Sequence, residues 1–231
     1  MKTIGMLGGL SWESTASYYR LINRFTNQAL GGLHSAKICM YSLDFDEIEK
    51  LQINGDWKSA ADVLCSAALS IEAGGADFII ICSNTMHKLA GEVEASISIP
   101  LLHIADATGE KLVEDNIKCA GLLGTRYTME QDFYKNRIAE NFNIKIIVPE
   151  TQQQNIVHDI IYSELCLGKI REESRENLAD IITLLEEQGA EAVILGCTEL
   201  SMLIGQQYVD VPLYDTTEIH ALNAVAYSLS G

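Results

Sequence analysis

The 231-residue chain carries 32 acidic against 16 basic residues, a formal charge of -16, so phosphate backbones and anionic membrane surfaces are repelled on average. With 48% hydrophobic residues, 21% charged residues and only three prolines, the sequence is that of a globular protein with one large core or two small ones, not a disordered chain. No apolar run reaches the ~20 residues of a membrane helix. The short apolar N-terminus is broken by glycines before Glu13 and makes a poor signal peptide. A cytoplasmic protein with no nucleic-acid or membrane partner is expected. The six cysteines, at 39, 65, 82, 119, 166 and 197, stand singly with no C-x-x-C pair. That fits free thiols in a reducing compartment rather than a disulfide framework.

Thr3 to Leu7 reads as a strand, broken by Gly8-Gly9. A helix from about Ser11 places Tyr18, Ile22, Phe25 and Ala29 on one face, and Gly31-Gly32 ends it. Lys37 to Leu43 is a second strand. Between Lys58 and Ala73, Ala61, Leu64, Ala68 and Ile71 recur three or four apart, which predicts a helix that stops at Gly74-Gly75. Phe78 to Cys82 is a continuous apolar run, the pattern of a strand buried on both faces. Further strands are expected at Lys118 to Leu123, Lys145 to Val148 and Ala192 to Leu195. Helices are expected at Ile156 to Leu167, Glu172 to Gln188 and Thr216 to Leu229. Thr128-Met129-Glu130-Gln131 has the form of a capping box with Thr128 as N-cap. Strands alternating with helices indicate an α/β fold, with parallel sheets flanked by helices.

The two halves are related. Residues 75–85 align without gaps on residues 189–199, at an offset of 114. Ile4 to Gly9 matches Ala120 to Thr125 at 116, and Ile99-Pro100-Leu101 matches Val211-Pro212-Leu213 at 112. The expected organisation is a pair of similar α/β domains related by a pseudo-twofold. Residues 1–105 with 212–231 form the first, and residues 106–211 the second. Ligands of open α/β sheets bind beyond the carboxyl ends of the strands, so the active site is expected in a cleft between the two domains. Ser83 and Cys197 occupy matching places in the repeat.

Cys197, in Gly196-Cys197-Thr198-Glu199-Leu200, sits where a buried strand ends. A thiol at a helix N-terminus has its pKa lowered and serves as base or nucleophile; the competing reading is a structural cysteine. Its counterpart is Cys82-Ser83-Asn84-Thr85-Met86-His87. Alternation along a strand turns Cys82 away from Ser83, so Cys82 reads as packing. Asn84 and Thr85 can hold a carboxylate or cap the following helix. His87 is either an acid/base or a satisfied structural histidine. Gly5 to Ser11 lacks the ends of a P-loop or dinucleotide fingerprint; its backbone N–H groups suit any anion. Gly124-Thr125-Arg126-Tyr127-Thr128 is its counterpart, with Arg126 either a carboxylate clamp or a surface residue. The five histidines are scattered, without a metal-binding spacing.

Thr3 to Gly9, Ser83-Asn84-Thr85-Met86-His87 and Gly196-Cys197-Thr198-Glu199 together resemble the aspartate/glutamate racemase family. The resemblance spans essentially the whole chain. It implies cofactor-independent racemisation of an amino acid, without pyridoxal phosphate or metal, by two cysteines flanking Cα. It further implies substrate contacts from Leu10, Gln52, Asn84, Thr85, Thr125, Thr128, Thr198 and Glu199. Here the sequence departs, because Ser83 stands where the family has its first cysteine. The expected enzyme keeps Cys197 as thiol acid/base, has Ser83 in place of the second thiol and favours one direction. Two other readings stay open: a single-cysteine decarboxylase or isomerase of similar fold, and a non-catalytic amino-acid-binding protein. A homodimer is expected because symmetric dimers are the commonest assemblies.

Overall fold

A computed structural model describes residues 1–230. The chain divides into two compact units, one formed by Met1–Ile104 with the segment from His220 onward, the other by Ala105–Ile219. The first begins β1 (Ile4–Gly8), α1 (Trp12–Leu30), β2 (Ile38–Ser42), α2 (Phe45–Ile53) and α3 (Trp57–Ala73). It continues with β3 (Phe78–Ile81), a 3-10 turn over Thr85–Leu89, α4 (Ala90–Ser96), β4 (Leu101–Leu102) and the start of α5 (Ile104–Glu114). The strands form one parallel sheet of order β2-β1-β3-β4.

The physical logic is that of a sheet covered on both sides. Every residue of β1 and β3 is buried. Ile4, Met6, Phe78 and Ile80 point to the side where α1 lays Tyr18 and Ile22. Leu7, Ile79 and Ile81 point to the side where α3 lays Leu64, Ala68 and Ile71. Continuous apolar runs are what two covered faces require.

The second unit repeats this plan. After α5 come β5 (Cys119–Gly124), α6 (Arg126–Glu130), α7 (Asp132–Phe142), β6 (Lys145–Ile147) and α8 (Thr151–Ser163). α9 (Glu172–Glu187), β7 (Ala192–Gly196), α10 (Leu200–Leu203), β8 (Leu213–Asp215) and α11 (Thr216–Leu229) complete the order. Its parallel sheet runs β6-β5-β7-β8, the first sheet's order again. Leu178, Ile182 and Leu185 of α9 and Val157 and Ile161 of α8 pack on Leu123, Val193 and Leu195.

The second unit ends later than residue 211. β8 pairs with β7 through Leu213, Tyr214 and Asp215, and the Tyr214 hydroxyl donates to Asp115 at 2.6 Å. Residues 212–219 therefore complete the second unit, and the return to the first falls at His220. Short β4 and β8 gave no strand pattern of their own. The Ile-Pro-Leu and Val-Pro-Leu segments, matched in the repeat, lead into them. α2, α5 and α7 were likewise not read from periodicity, and α8 starts at Thr151 behind a Glu150–Gln153 capping box. Among the described residues no helix is long and apolar enough to cross a membrane.

Candidate active site

Two strand ends carry the expected site residues, one in each unit. In the first, β1 ends in a turn that only glycine fits. Gly9 has φ +75°, and a Cβ there would lie 2.1 Å from the Leu43 carbonyl oxygen. The Gly9 N–H donates to Thr15 Oγ1 at 2.8 Å. Ser11, itself at φ 109°, caps α1. In the next turn of α1, Ser14 Oγ donates to the Cys82 carbonyl at 3.0 Å and ties the helix start to the end of β3. Sequence reasoning passed over Ser14 and Thr15, although small polar residues just after a Gly-Gly turn are the signal.

Ser83 follows directly. Its Oγ accepts the Met86 N–H at 3.4 Å, and its carbonyl accepts from His87 Nδ1 at 2.7 Å. His87 Nε2 in turn accepts the Ile104 N–H at 3.2 Å. An Nε2 that accepts and an Nδ1 that donates define a neutral imidazole. His87 is thus a strut that fixes the Ser83 backbone. Asn84 and Thr85 are buried beside it. Gln52, buried on α2, donates from Nε2 to Met86 Sδ at 2.9 Å, and Leu10 lies in the same apolar cluster as Met86. Leu10, Gln52, Ser83, Asn84 and Thr85 therefore belong to one region of the first unit. Cys82 faces the other way, into the Tyr18–Phe78 cluster, where burial pushes its thiol far up from the ordinary range.

In the second unit, β5 and β7 run together to Gly124 and Gly196, which are register partners. A Cβ on Gly124 would lie 2.8 Å from the Gly196 carbonyl oxygen, and one on Gly196 would lie 3.4 Å from Thr128 Cγ2. The paired glycines let the two strand ends close on Thr128. The N-cap of α6 is Thr125, not Thr128. Thr125 Oγ1 accepts the Thr128 N–H at 3.4 Å, and the two hydroxyls meet at 3.2 Å. Both are buried. Arg126 is exposed and lies 3.8 Å from Glu130, a surface placement.

Cys197 follows Gly196. It is buried rather than exposed, and its Sγ donates to Glu199 Oε2 at 3.0 Å. The same carboxylate oxygen accepts from Thr198 Oγ1. The expected lowering of the thiol pKa is not found. Burial raises it well above the ordinary value, with the Glu199 charge and hydrogen bond adding to the rise. α10 is only four residues long and begins after Glu199, too small a dipole to offset desolvation. The thiol is held as S–H, aimed at the Glu199 carboxylate. Thr125, Thr128, Cys197, Thr198 and Glu199 thus gather at one edge of the second sheet. No metal-type cluster of His, Cys, Asp or Glu occurs among the described residues.

The Cys197–Glu199 pair has a measurable consequence. Because Glu199 raises the thiol pKa, Glu199→Gln is expected to lower it. Alkylation of Cys197 by iodoacetamide should then be faster at neutral pH and its pH profile should move to lower pH. Unchanged alkylation would separate Glu199 from the thiol.

The Asp/Glu/Hydantoin racemase family model matches residues 7–224. The chain is similar to the broad specificity amino-acid racemase RacX of Bacillus subtilis, 24% identical, with 98% of each chain covered. It is similar to a Yersinia pestis protein whose crystal structure carries a provisional Asp/Glu racemase assignment, at 51% identity and TM-score 0.94 over 100% of both chains. A Pyrococcus horikoshii protein, an aspartate racemase homologue, matches at 31% identity and TM-score 0.86 over 99% of both. The matches span both units. The chain belongs to the Asp/Glu/Hydantoin racemase family and is an isomerase of the amino-acid racemase class.

Proposed function

We propose that the substrate is an amino acid of the aspartate/glutamate type, or a broader set, and that Cys197 and Ser83 are the two groups that exchange the proton at Cα. The observation that carries this reading is the Cys197 Sγ–H donated to a buried Glu199 carboxylate at 3.0 Å. A thiol held protonated is matched to delivering a proton, and one that can pass its proton to Glu199 is matched to removing one. In the base role, the thiol proton moves to Glu199 and the thiolate takes the α-proton of one enantiomer. The carbanion, stabilised by the substrate carboxylate, is reprotonated on its other face by the Ser83 hydroxyl or a water it orients; solvent returns a proton to that oxygen, and the proton held by Glu199 is released to solvent as the cycle closes. Asn84 and Thr85 of the first unit and Thr125, Thr128 and Thr198 of the second supply hydrogen bonds for the substrate carboxylates and amine, with Leu10 and Gln52 near Asn84 and Thr85. No pyridoxal phosphate is needed in this scheme. Cys197 must stay reduced, which suits a cytoplasmic enzyme.

The scheme is asymmetric, since a hydroxyl donates to a carbanion readily but is a poor base. At saturating substrate we expect the turnover number for one enantiomer to exceed that for the other by about 10²-fold or more, with KM differing by the same factor because the equilibrium constant of a racemisation is one. Ser83→Cys should speed the slow direction. Deuterium incorporation at Cα, followed for L- and D-aspartate and L- and D-glutamate in deuterated water, tests both points. Equal rates from both enantiomers would remove Ser83 from the scheme. Absence of exchange across a panel of amino acids would overturn the reading.

A further inference from the structure

The turn after β5 is held from outside its own helix. α6 is five residues long and starts at Arg126. The first N–H groups of a helix have no partner within it and must find one elsewhere. The Thr125 carbonyl takes two of them, accepting the Thr128 and Met129 N–H groups, each at 3.0 Å. The Arg126 N–H goes to Nδ1 of His158 on α8, at 3.3 Å. In the first unit the matching turn is held locally, by the Gly9 N–H on Thr15 Oγ1 of the helix that follows.

His158 is mounted as a fixed strut. Behind the Glu150–Gln153 capping box of α8, Gln154 Nε2 donates to the Pro149 carbonyl at 2.7 Å. Val157 and Ile161 of the same helix are buried in the core with Leu123 and Leu195. The half-buried His158 ring lies 4.6 Å from the Tyr162 ring, one helical turn on, and meets the Tyr127 ring edge-on at 6.5 Å. An imidazole nitrogen accepts a hydrogen bond only while the ring is neutral. With Nδ1 accepting, the single proton sits on Nε2. A second proton, on Nδ1, would set N–H against N–H and break the contact.

Burial lowers the His158 pKa from the ordinary imidazole value, and the Arg126 guanidinium adds to the drop. The Asp159 and Glu130 carboxylates oppose it. Tyr127 and Tyr162 are the titratable groups whose rings meet it.

We infer that His158 is a positioning residue: its unprotonated Nδ1, on the Arg126 N–H, holds the Thr125–Thr128 turn in the shape that binds substrate. The inference rests on Thr125 and Thr128 as substrate contacts, as proposed above. His158 touches no reacting atom. Because only the neutral ring accepts, the turn is held at pH 7–8 and released as pH falls below about 6.5.

Steady-state racemisation of the L- and D-forms of aspartate and glutamate by the full chain, between pH 5.5 and 8.5, tests this. His158→Phe keeps a ring against Tyr162 and removes the acceptor. At pH 8 it should raise KM for both enantiomers about fivefold, with kcat within about twofold of wild type. The two KM values must rise by one factor, because the equilibrium constant is one. His158→Asn places Oδ1 where Nδ1 was and does not titrate. It should restore the wild-type KM at pH 8 and lose the rise in KM that wild type shows below about pH 6.5. A purely structural histidine would move the thermal melt without this pattern. Hydrogen exchange of the Arg126 amide, read by NMR without substrate, should be faster in His158→Phe than in wild type or His158→Asn.

Unchanged Arg126 exchange, or a His158→Asn enzyme that keeps the acid rise in KM, would overturn the inference alone. Faster exchange with unchanged KM would remove Thr125 and Thr128 from the substrate contacts, and the inference with them. Absence of turnover from all four amino acids would overturn the substrate reading and this inference together.

Discussion

Replacing Cys197 by serine is expected to cut Cα proton exchange by about 10³-fold or more while leaving the protein folded. The substitution keeps the shape and the hydrogen bond to Glu199, since a hydroxyl can donate as the thiol does at 3.0 Å. What it removes is acidity. An alcohol does not yield its proton to a carboxylate at any useful fraction, so no base forms on that face. The folding cost is small, on the order of 1 kcal/mol, because the site already holds one polar partner and Cys197 is one of many side chains in its cluster with Met129, Leu195 and Leu200. Deuterium exchange beside a thermal melt checks both halves. Exchange within tenfold of wild type would take Cys197 out of the chemistry. A collapsed melt would reassign it to packing.

The second large effect falls on stability. Gly9→Ala is expected to cost about 3–5 kcal/mol, near the upper end for a point substitution. Two penalties add. The backbone at Gly9 has φ +75°, where a Cβ is strained by ~1–2 kcal/mol. The same Cβ would sit 2.1 Å from the Leu43 carbonyl oxygen and 2.2 Å from its nitrogen. Neither atom can rotate away, and the Leu43 N–H is bonded to the Gly8 carbonyl at 3.0 Å. Relief requires separating the ends of β1 and β2. Gly91 in α4 is the control, with open space around its Cβ and no positive φ. Gly91→Ala should be neutral or stabilising by ~0.5–1 kcal/mol. Urea denaturation of the two variants reads the difference. Equal midpoints would show that the strand-end turn relaxes freely.

The two halves differ in how well local pattern predicted them. The buried runs at β1, β3, β5 and β7 were legible because a strand covered on both faces must be apolar throughout. The periodic helices α1, α3, α9 and α11 were legible for the same kind of reason. β4 and β8, two and three residues long, carry too few side chains to show a period. The capping misassignment at α6 has a local cause. Thr125 and Thr128 both precede turns, and Thr128-Met129-Glu130-Gln131 satisfies the pattern as well as Thr125-Arg126-Tyr127-Thr128. The choice is made by the pairing of Gly124 with Gly196, which draws Thr128 inward and leaves Thr125 at the helix start.

The sequence by itself determined the two related halves, the parallel α/β class and the family. These are properties of order and residue type along the chain. Tertiary structure decided the protonation state of Cys197, the strut role of His87 and the true limit of the second unit. Desolvation depends on what covers a group, and Cys197 is covered by side chains from α6, α10 and the Leu165–Leu167 turn, far apart in sequence. The partner of an imidazole nitrogen is equally non-local: His87 meets Ile104 across 17 residues. A thiol that reads as acidic from its neighbours is, in the fold, buried, protonated and paired with Glu199.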